Sequence, residues 1–262
     1  MTGTPVLALL GRIAEAETID AAWTLATGYF AGLGFARANY GFTRFKHART
    51  IGDPDDALFL TTCDADYAQR YFRGGFYART PVFRWAERNN GACTWKWVAE
   101  AFAAGRLSAE EAEAVRQNAT MGVVAGISVS FPEASARAKG ALGLIADPGL
   151  DTEAVERIYA DRRAEIIAVA NMMHLKIIQL PQLTRSRALS PRQREALEWV
   201  ADGKTTQDVA LLMGVSPAMV EKHLRLAREA LAVETTAQAV AKGALLNMIF
   251  QRGPEQLAQA AR

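Results

Sequence analysis

The chain has 262 residues, half of them apolar, with a formal net charge of +2. That bulk allows one large domain or two smaller ones and is ample for a sizeable core. No apolar run reaches the length of a membrane span, and the N-terminus lacks a basic segment followed by an apolar core and a small-residue cleavage site. The cytoplasm is therefore the expected compartment, with no membrane partner. Cys63 and Cys93 are too few for a disulfide framework, and with His47, His174 and His223 scattered they offer no metal-ligand spacing. No metal and no bound cofactor are expected.

The charge is informative only when divided. Residues 186 to 252 hold nine Lys or Arg against seven Asp or Glu, so the whole excess sits there and the remainder balances. A surplus so small would leave any recognition of an anionic partner by this stretch to the placement of a few cations and helix N-termini.

In chain order, residues 5 to 34 read as helical, with Val6, Leu9, Leu10 and Ile13 on one face and a stop at Gly32 and Gly34. Residues 39 to 45 and 57 to 62 carry β-favouring residues around the turn formed by Asp53 and Pro54. Residues 64 to 74 and 81 to 88 look helical, and 107 to 118 more so, with Ser108 as cap and Glu111 in the capping-box position. Two further strands are expected at 123 to 131 and 138 to 146, then a long helix from Thr152 to about Ile178. The expected class is α+β: an α/β/α sandwich around an antiparallel sheet, followed by an all-α domain. The expected boundaries are residues 1–180 for the first domain, 181–188 for a linker, 189–252 for the second domain and 253–262 for a fraying tail.

Residues 190 to 231 set out three successive helix starts. Ser190 caps the first helix with Pro191 in the first helical position and Gln193 three on, and Gly203 stops it. Thr205 starts the second, with Asp208 three residues later. Gly214 and Val215 make the turn, and Ser216 and Pro217 repeat the cap device. The third helix buries Val220, Leu224, Ala227 and Leu231 and turns Glu221, Lys222, His223, Arg225 and Arg228 outward. Charged helix faces are usually only solvated. Three capped short helices ordered by Gly turns instead describe a helix-turn-helix reader that lays its last helix in a major groove. Lys222, Arg225 and Arg228 are the candidates for phosphate or base contacts and Glu221 for accepting from cytosine, with Lys204, Thr205 and Ser216 toward the DNA backbone. LSPRQREALEWVADGKT followed by VALLMGVSPAMVEKHLRLAREAL resembles the C-terminal domain of LuxR-type transcription regulators.

The first domain crowds Tyr67, Tyr71, Phe72, Phe76, Tyr77, Phe83, Trp85, Trp95 and Trp97 into about thirty residues. By composition this is equally a hydrophobic core or the lining of a small-molecule pocket. YAQRYFRGGFYARTPVFRWAERNNGACTW is similar to the autoinducer-binding domain of LuxR-type receptors, whose ligands are N-acyl-homoserine lactones. The motif matches at Tyr71, Pro81, Val82, Trp95 and Gly126. It departs at Tyr67, where the family has a Trp that donates to the lactone carbonyl, and at Thr80, where it has an Asp that accepts from the ligand amide N–H. A hydroxyl is a weaker and shorter acceptor than a carboxylate.

The resemblance implies a quorum-sensing activator of transcription whose ligand head is held by Tyr67, Tyr71, Thr80 and Trp95. It implies a homodimer on a two-fold-related site in double-stranded DNA, with RNA polymerase as a further partner. Three accounts of the pocket stay open: a lactone bound through Thr80 and a water, a different small molecule, or an orphan regulator that acts without ligand. An enzyme is not expected, since no G-x-S-x-G elbow, Walker loop or His beside a Cys or Ser is present. Nor does the first domain show the parallel βα repeat and acidic pocket of a phosphorylated receiver.

Overall fold

The structure, a computed structural model, describes residues 5–47, 51–182 and 188–250. The chain divides between Ile177 and Ile178 into two compact units.

In the first unit the helical N-terminal stretch is two helices, α1 (Pro5–Glu15) and α2 (Ile19–Ala31). The break is chemical: the Thr18 side chain accepts from Ala21 N at 3.1 Å and starts a new helix. Strand β1 (Arg37–Thr43) and strand β2 (Leu58–Thr61) follow, with a 3-10 turn at Pro54–Asp56 capped by Asp53. Helix α3 (Ala65–Ala68) runs into one π turn at Gln69–Arg73. A 3-10 turn at Phe76–Arg79 then leads to α4 (Pro81–Arg88). Next come β3 (Gly91–Thr94), α5 (Lys96–Ala103), α6 (Ala109–Thr120), β4 (Gly126–Ser130), β5 (Lys139–Ile145) and the long α7 (Thr152–Gln179). Neither β3 nor α5 is expected from sequence pattern: a four-residue strand is too short to show an alternation, and α5 opens at Trp95 without a side-chain cap.

The five strands form one antiparallel sheet in the order β2-β1-β5-β4-β3. Its two faces differ in side-chain volume, because side chains alternate along each strand. One face carries Tyr40, Phe42, Ile127, Val129, Phe131, Leu142 and Leu144, all buried, and packs under α2 and α7. There the Tyr40 hydroxyl meets His174 Nδ1 at 2.9 Å, and His174 stacks on Phe131 with ring centroids 4.0 Å apart. His174 Nε2 lies 3.0 Å from Glu133 Oε1, so this buried ring has polar neighbours on both sides.

At its centre the other face presents Asn39, Gly41, Thr43, Gly126, Ser128, Ser130, Ala141 and Gly143, with register pairs such as Gly41↔Ala141 and Ser128↔Gly143, while Arg37, Phe59, Lys139 and Ile145 stand toward its edge and ends. Residues as small as those at the centre cannot fill the space beneath the helices that cover them. A cavity is left on that side.

The second unit holds α8 (Pro191–Ala201), α9 (Thr206–Met213), α10 (Pro217–Leu231) and α11 (Thr236–Leu245). Ser190 with Gln193, Thr205 with Asp208, and Thr235 with Gln238 form capping boxes, and Ser216 caps α10 by accepting from Met219 N. Gly214 takes the left-handed conformation, φ 64°, that the turn between α9 and α10 requires. Leu197, Val209, Val220, Leu224, Ala227 and Leu231 are buried at the centre. Before α8, Gln182 N donates to Leu246 O at 3.1 Å, and Asn247 Nδ2 donates to Ile178 O at 2.8 Å. The start of the expected linker is thus tied to the end of this unit. Its residues 183–187 and the tail from 251 lie outside the described residues.

Candidate functional site

A cavity of about 290 Å³ lies against the small-residue face of the sheet. That is close to the lower end of the range of small-molecule pockets. Its other walls are Phe72 and Tyr77 from the π and 3-10 turns, Phe83 from α4, Val98 and Phe102 from α5, and Val115 and Asn118 from α6. The π turn, with one residue more than an α turn, carries Tyr71 and Phe72 at the cavity wall.

All four residues expected to hold a ligand head, Tyr67, Tyr71, Thr80 and Trp95, line this one cavity. The Tyr67 and Tyr71 rings stack with centroids 5.3 Å apart, and Tyr67 packs on Val123 and Ile145. Arg37 holds the loop before Val123 by donating to Met121 O at 3.2 Å and Gly122 O at 2.7 Å. Burial pushes both phenols well above the usual tyrosine range, so both keep their protons at neutral pH.

The Trp95 indole N–H donates to Ser128 Oγ at 2.9 Å, directly across the strand face. Thr80 is 1% exposed, and its hydroxyl is occupied as the cap of α4. It donates to Tyr77 O at 2.8 Å and accepts from Phe83 N at 3.3 Å.

Three polar residues not anticipated from the sequence complete this end. Asn39 Nδ2 donates to the Tyr67 hydroxyl oxygen at 3.3 Å, Thr61 Oγ1 donates to Asn39 Oδ1 at 2.7 Å, and Ser128 accepts from Trp95. No local motif marks them, since the contact of Asn39 with Thr61 is a cross-strand register pair. The opposite part of the lining includes Lys46, Glu87 and Lys139. The Lys139 ammonium donates to Asn89 O at 3.0 Å and Asn90 Oδ1 at 2.9 Å, and burial followed by the neighbouring Lys46 charge lowers its pKa.

In the second unit, α9 and α10 have the helix-turn-helix arrangement. Lys204, Thr205, Ser216, Glu221, Lys222 and Arg225 are exposed, and Arg228 is half-buried. Their engagements differ. Arg225 pairs with Glu229 one turn on, Arg228 Nη1 donates to Thr236 Oγ1 at 2.9 Å, and Glu221 accepts from Thr206 Oγ1 at 2.9 Å. Thr205 and Ser216 are both N-caps, placing helix N-termini beside them. The Thr205 hydroxyl and then its backbone N–H hold the Asp208 carboxyl below the usual carboxylate range. Helix α11 is not anticipated, although Thr235 and Gln238 spell its capping box.

Among the described residues, no group of three or more His, Cys, Asp or Glu side chains could hold a metal ion, and no helix is long and apolar enough to cross a membrane.

Comparison with known proteins follows the same division. The family model for the autoinducer binding domain matches residues 18–177, and that for sigma-70 region 4 matches residues 183–231. The chain is 26% identical over 226 residues to the transcriptional activator protein SolR of Ralstonia nicotianae, covering 83% of this chain and 87% of that protein. It is 26% identical over 218 residues to the transcriptional activator protein TraR of Agrobacterium vitis, covering 80% and 87%. Among solved structures, Escherichia coli SdiA matches with a TM-score of 0.52 at 16% identity, over 94% of this chain and 98% of that one. The N-acylhomoserine lactone dependent factor CepR2 of Burkholderia cenocepacia matches with a TM-score of 0.51 at 18% identity, over 66% and 96%. At such identities the two structures speak for the fold, which is the same five-stranded antiparallel sheet with helices followed by a helical domain. With an autoinducer-binding domain covering most of its length and a helix-turn-helix unit after it, the chain belongs to the LuxR family of transcription regulators.

Proposed function

We propose that this regulator binds an acylated small molecule of the N-acyl-homoserine lactone type in the cavity of residues 1–177, and that occupancy controls DNA binding by the second unit. The observation that carries the reading is the joining of two chemistries in one cavity. An aromatic and aliphatic lining can take an acyl chain, and polar groups clustered around Tyr67, Trp95 and Ser128 can orient a compact oxygen-bearing head. Relatives named as transcriptional activators favour activation over repression. The protein acts by binding, without turnover of the ligand, as a homodimer whose two recognition helices meet a two-fold-related operator, with RNA polymerase as the partner it engages there. The cytoplasm is its place of action.

The test is a selection of DNA from a random library by the purified full chain, with and without acyl-homoserine lactones of several chain lengths. Enrichment of a two-fold-related sequence, altered in yield by one of the lactones, is the expected result. A selected site whose yield no lactone changes would remove ligand control, and no enrichment in any condition would remove the DNA-reading assignment.

A further inference from the structure

We propose that the head end of the cavity is built to donate hydrogen bonds, and selects a ligand head rich in carbonyl or ester oxygens whose link to the acyl chain needs no N–H. The inference rests on the reading that the cavity takes an acylated lactone-like molecule.

Two chains of hydrogen bonds set the direction. In the first, Cys63 N donates to Thr61 Oγ1 at 3.0 Å, and Thr61 in turn donates to Asn39 Oδ1 at 2.7 Å. That orients the Asn39 amide so that its Nδ2 donates to Tyr67 at 3.3 Å. Tyr67 already receives a bond on its oxygen, so its own O–H is left for the cavity it lines. In the second, the Trp95 indole can only donate, and it donates to Ser128 Oγ at 2.9 Å, which leaves the Ser128 O–H for the same cavity. Both chains end on a directed donor. Both donors sit on buried residues, where a carbonyl oxygen would satisfy them.

The acceptor side is neutral. Thr80 gives its proton to Tyr77 O and takes one bond from Phe83 N, which leaves one of the two acceptor positions of a hydroxyl. A ligand N–H is left that position or the neutral Tyr71 oxygen, with no carboxylate among the groups of this head end. A neutral hydrogen bond exchanged against water is worth at most about tenfold in affinity, whereas one to a charged acceptor is worth about tenfold to a hundredfold.

The experiment compares matched pairs by calorimetric titration of the full chain: butanoyl-, octanoyl- and dodecanoyl-homoserine lactone, each against the ester in which oxygen replaces the amide N–H. In the best-binding pair the ester is expected to bind within about tenfold of the amide, or more tightly. Thr80→Asp keeps a capping oxygen and adds a carboxylate, so it should move the amide-to-ester ratio toward the amide by more than about tenfold. An amide preference above tenfold in the unaltered protein, or an unchanged ratio in a folded Thr80→Asp protein, overturns the proposal while leaving the cavity reading intact. Should no pair bind to protein whose circular dichroism is that of a folded chain, the cavity reading fails and takes the proposal with it. If Thr80→Asp does not fold, the ratio in the unaltered protein still decides.

Discussion

The Trp95 ring crowds the position where a side chain on Gly126 would begin. A Cβ built on Gly126 would lie 2.9 Å from two atoms of the Trp95 ring and closer still to Leu144 O. The absence of a side chain there lets the indole lie across β4 and reach Ser128. Gly126→Ala should therefore force Trp95 off this seat or push β4 away from β5. Overpacking of this kind costs about 1–3 kcal/mol. The denaturant midpoint of the first unit should fall accordingly, with a red shift in tryptophan emission as the indole loses its place; an unchanged midpoint and spectrum would show that the contact gives way freely.

Thr80 acts on the fold as well as on the cavity. Removal of an N-cap oxygen costs about 0.5–2 kcal/mol. Thr80→Ala should lower stability by that amount, and Thr80→Ser, which retains the oxygen, should recover most of it. Equal stability of the Ala and Ser variants would show that the bond to Phe83 N contributes nothing.

Lys222 and Arg228 are expected to differ in kind. Lys222 is exposed on α10, so Lys222→Ala should weaken DNA binding evenly across sequences and reduce the salt slope by about one. Arg228 also holds Thr236 of α11, so Arg228→Ala should lower the thermal midpoint of the second unit in addition. Salt-dependent anisotropy titrations and thermal unfolding separate the two. An unchanged salt slope for Lys222→Ala takes that residue out of the interface.

The acid side of stability should report Glu111. Burial alone would raise its carboxyl, but the Ser108 N–H and hydroxyl and the charges of Arg84 and Arg88 outweigh it and hold the group below its ordinary value of 4.5. Ser108 N and Oγ donate to it at 2.9 and 2.8 Å, and Arg84 Nη1 lies 3.3 Å away. A depressed folded-state pKa adds stability above the ordinary value and loses it as pH falls through the lower one. The midpoint gap between the unaltered protein and Glu111→Gln should thus be full at pH 7 and shrink below pH 4.5. A gap that stays constant through that range would assign the loss to geometry alone.

Local chemistry made part of this legible. The caps at Ser108, Ser190, Thr205 and Ser216 stand in the sequence and in the structure at the same positions. Alternation in Ile127, Ser128, Val129 and Ser130 marks β4 because Ile127 and Val129 are buried in the core, while Ser128 borders the cavity and Ser130 bonds Ala86 O and Asn89 O. What stayed hidden depends on pairing between distant segments. Asn39 meets Thr61 only once β1 and β2 are in register, and Trp95 meets Ser128 only once β3 has brought α5 across the sheet. Thr80-Pro81 repeats the cap signal of Ser190-Pro191 and Ser216-Pro217, so the local part of its role was readable, whereas its place beside Tyr71 on one cavity wall was not.

Binding of an acyl lactone in the cavity of the first unit is read out by the thermal midpoint of the full chain. A ligand that binds only the folded state raises that midpoint, by about 5 °C at a hundredfold excess over Kd for a chain of this size. Such a rise is expected with one chain length in a series from butanoyl to dodecanoyl, and is lost when Gly143→Trp fills the cavity. Folded protein whose midpoint does not move with any member of the series would contradict it.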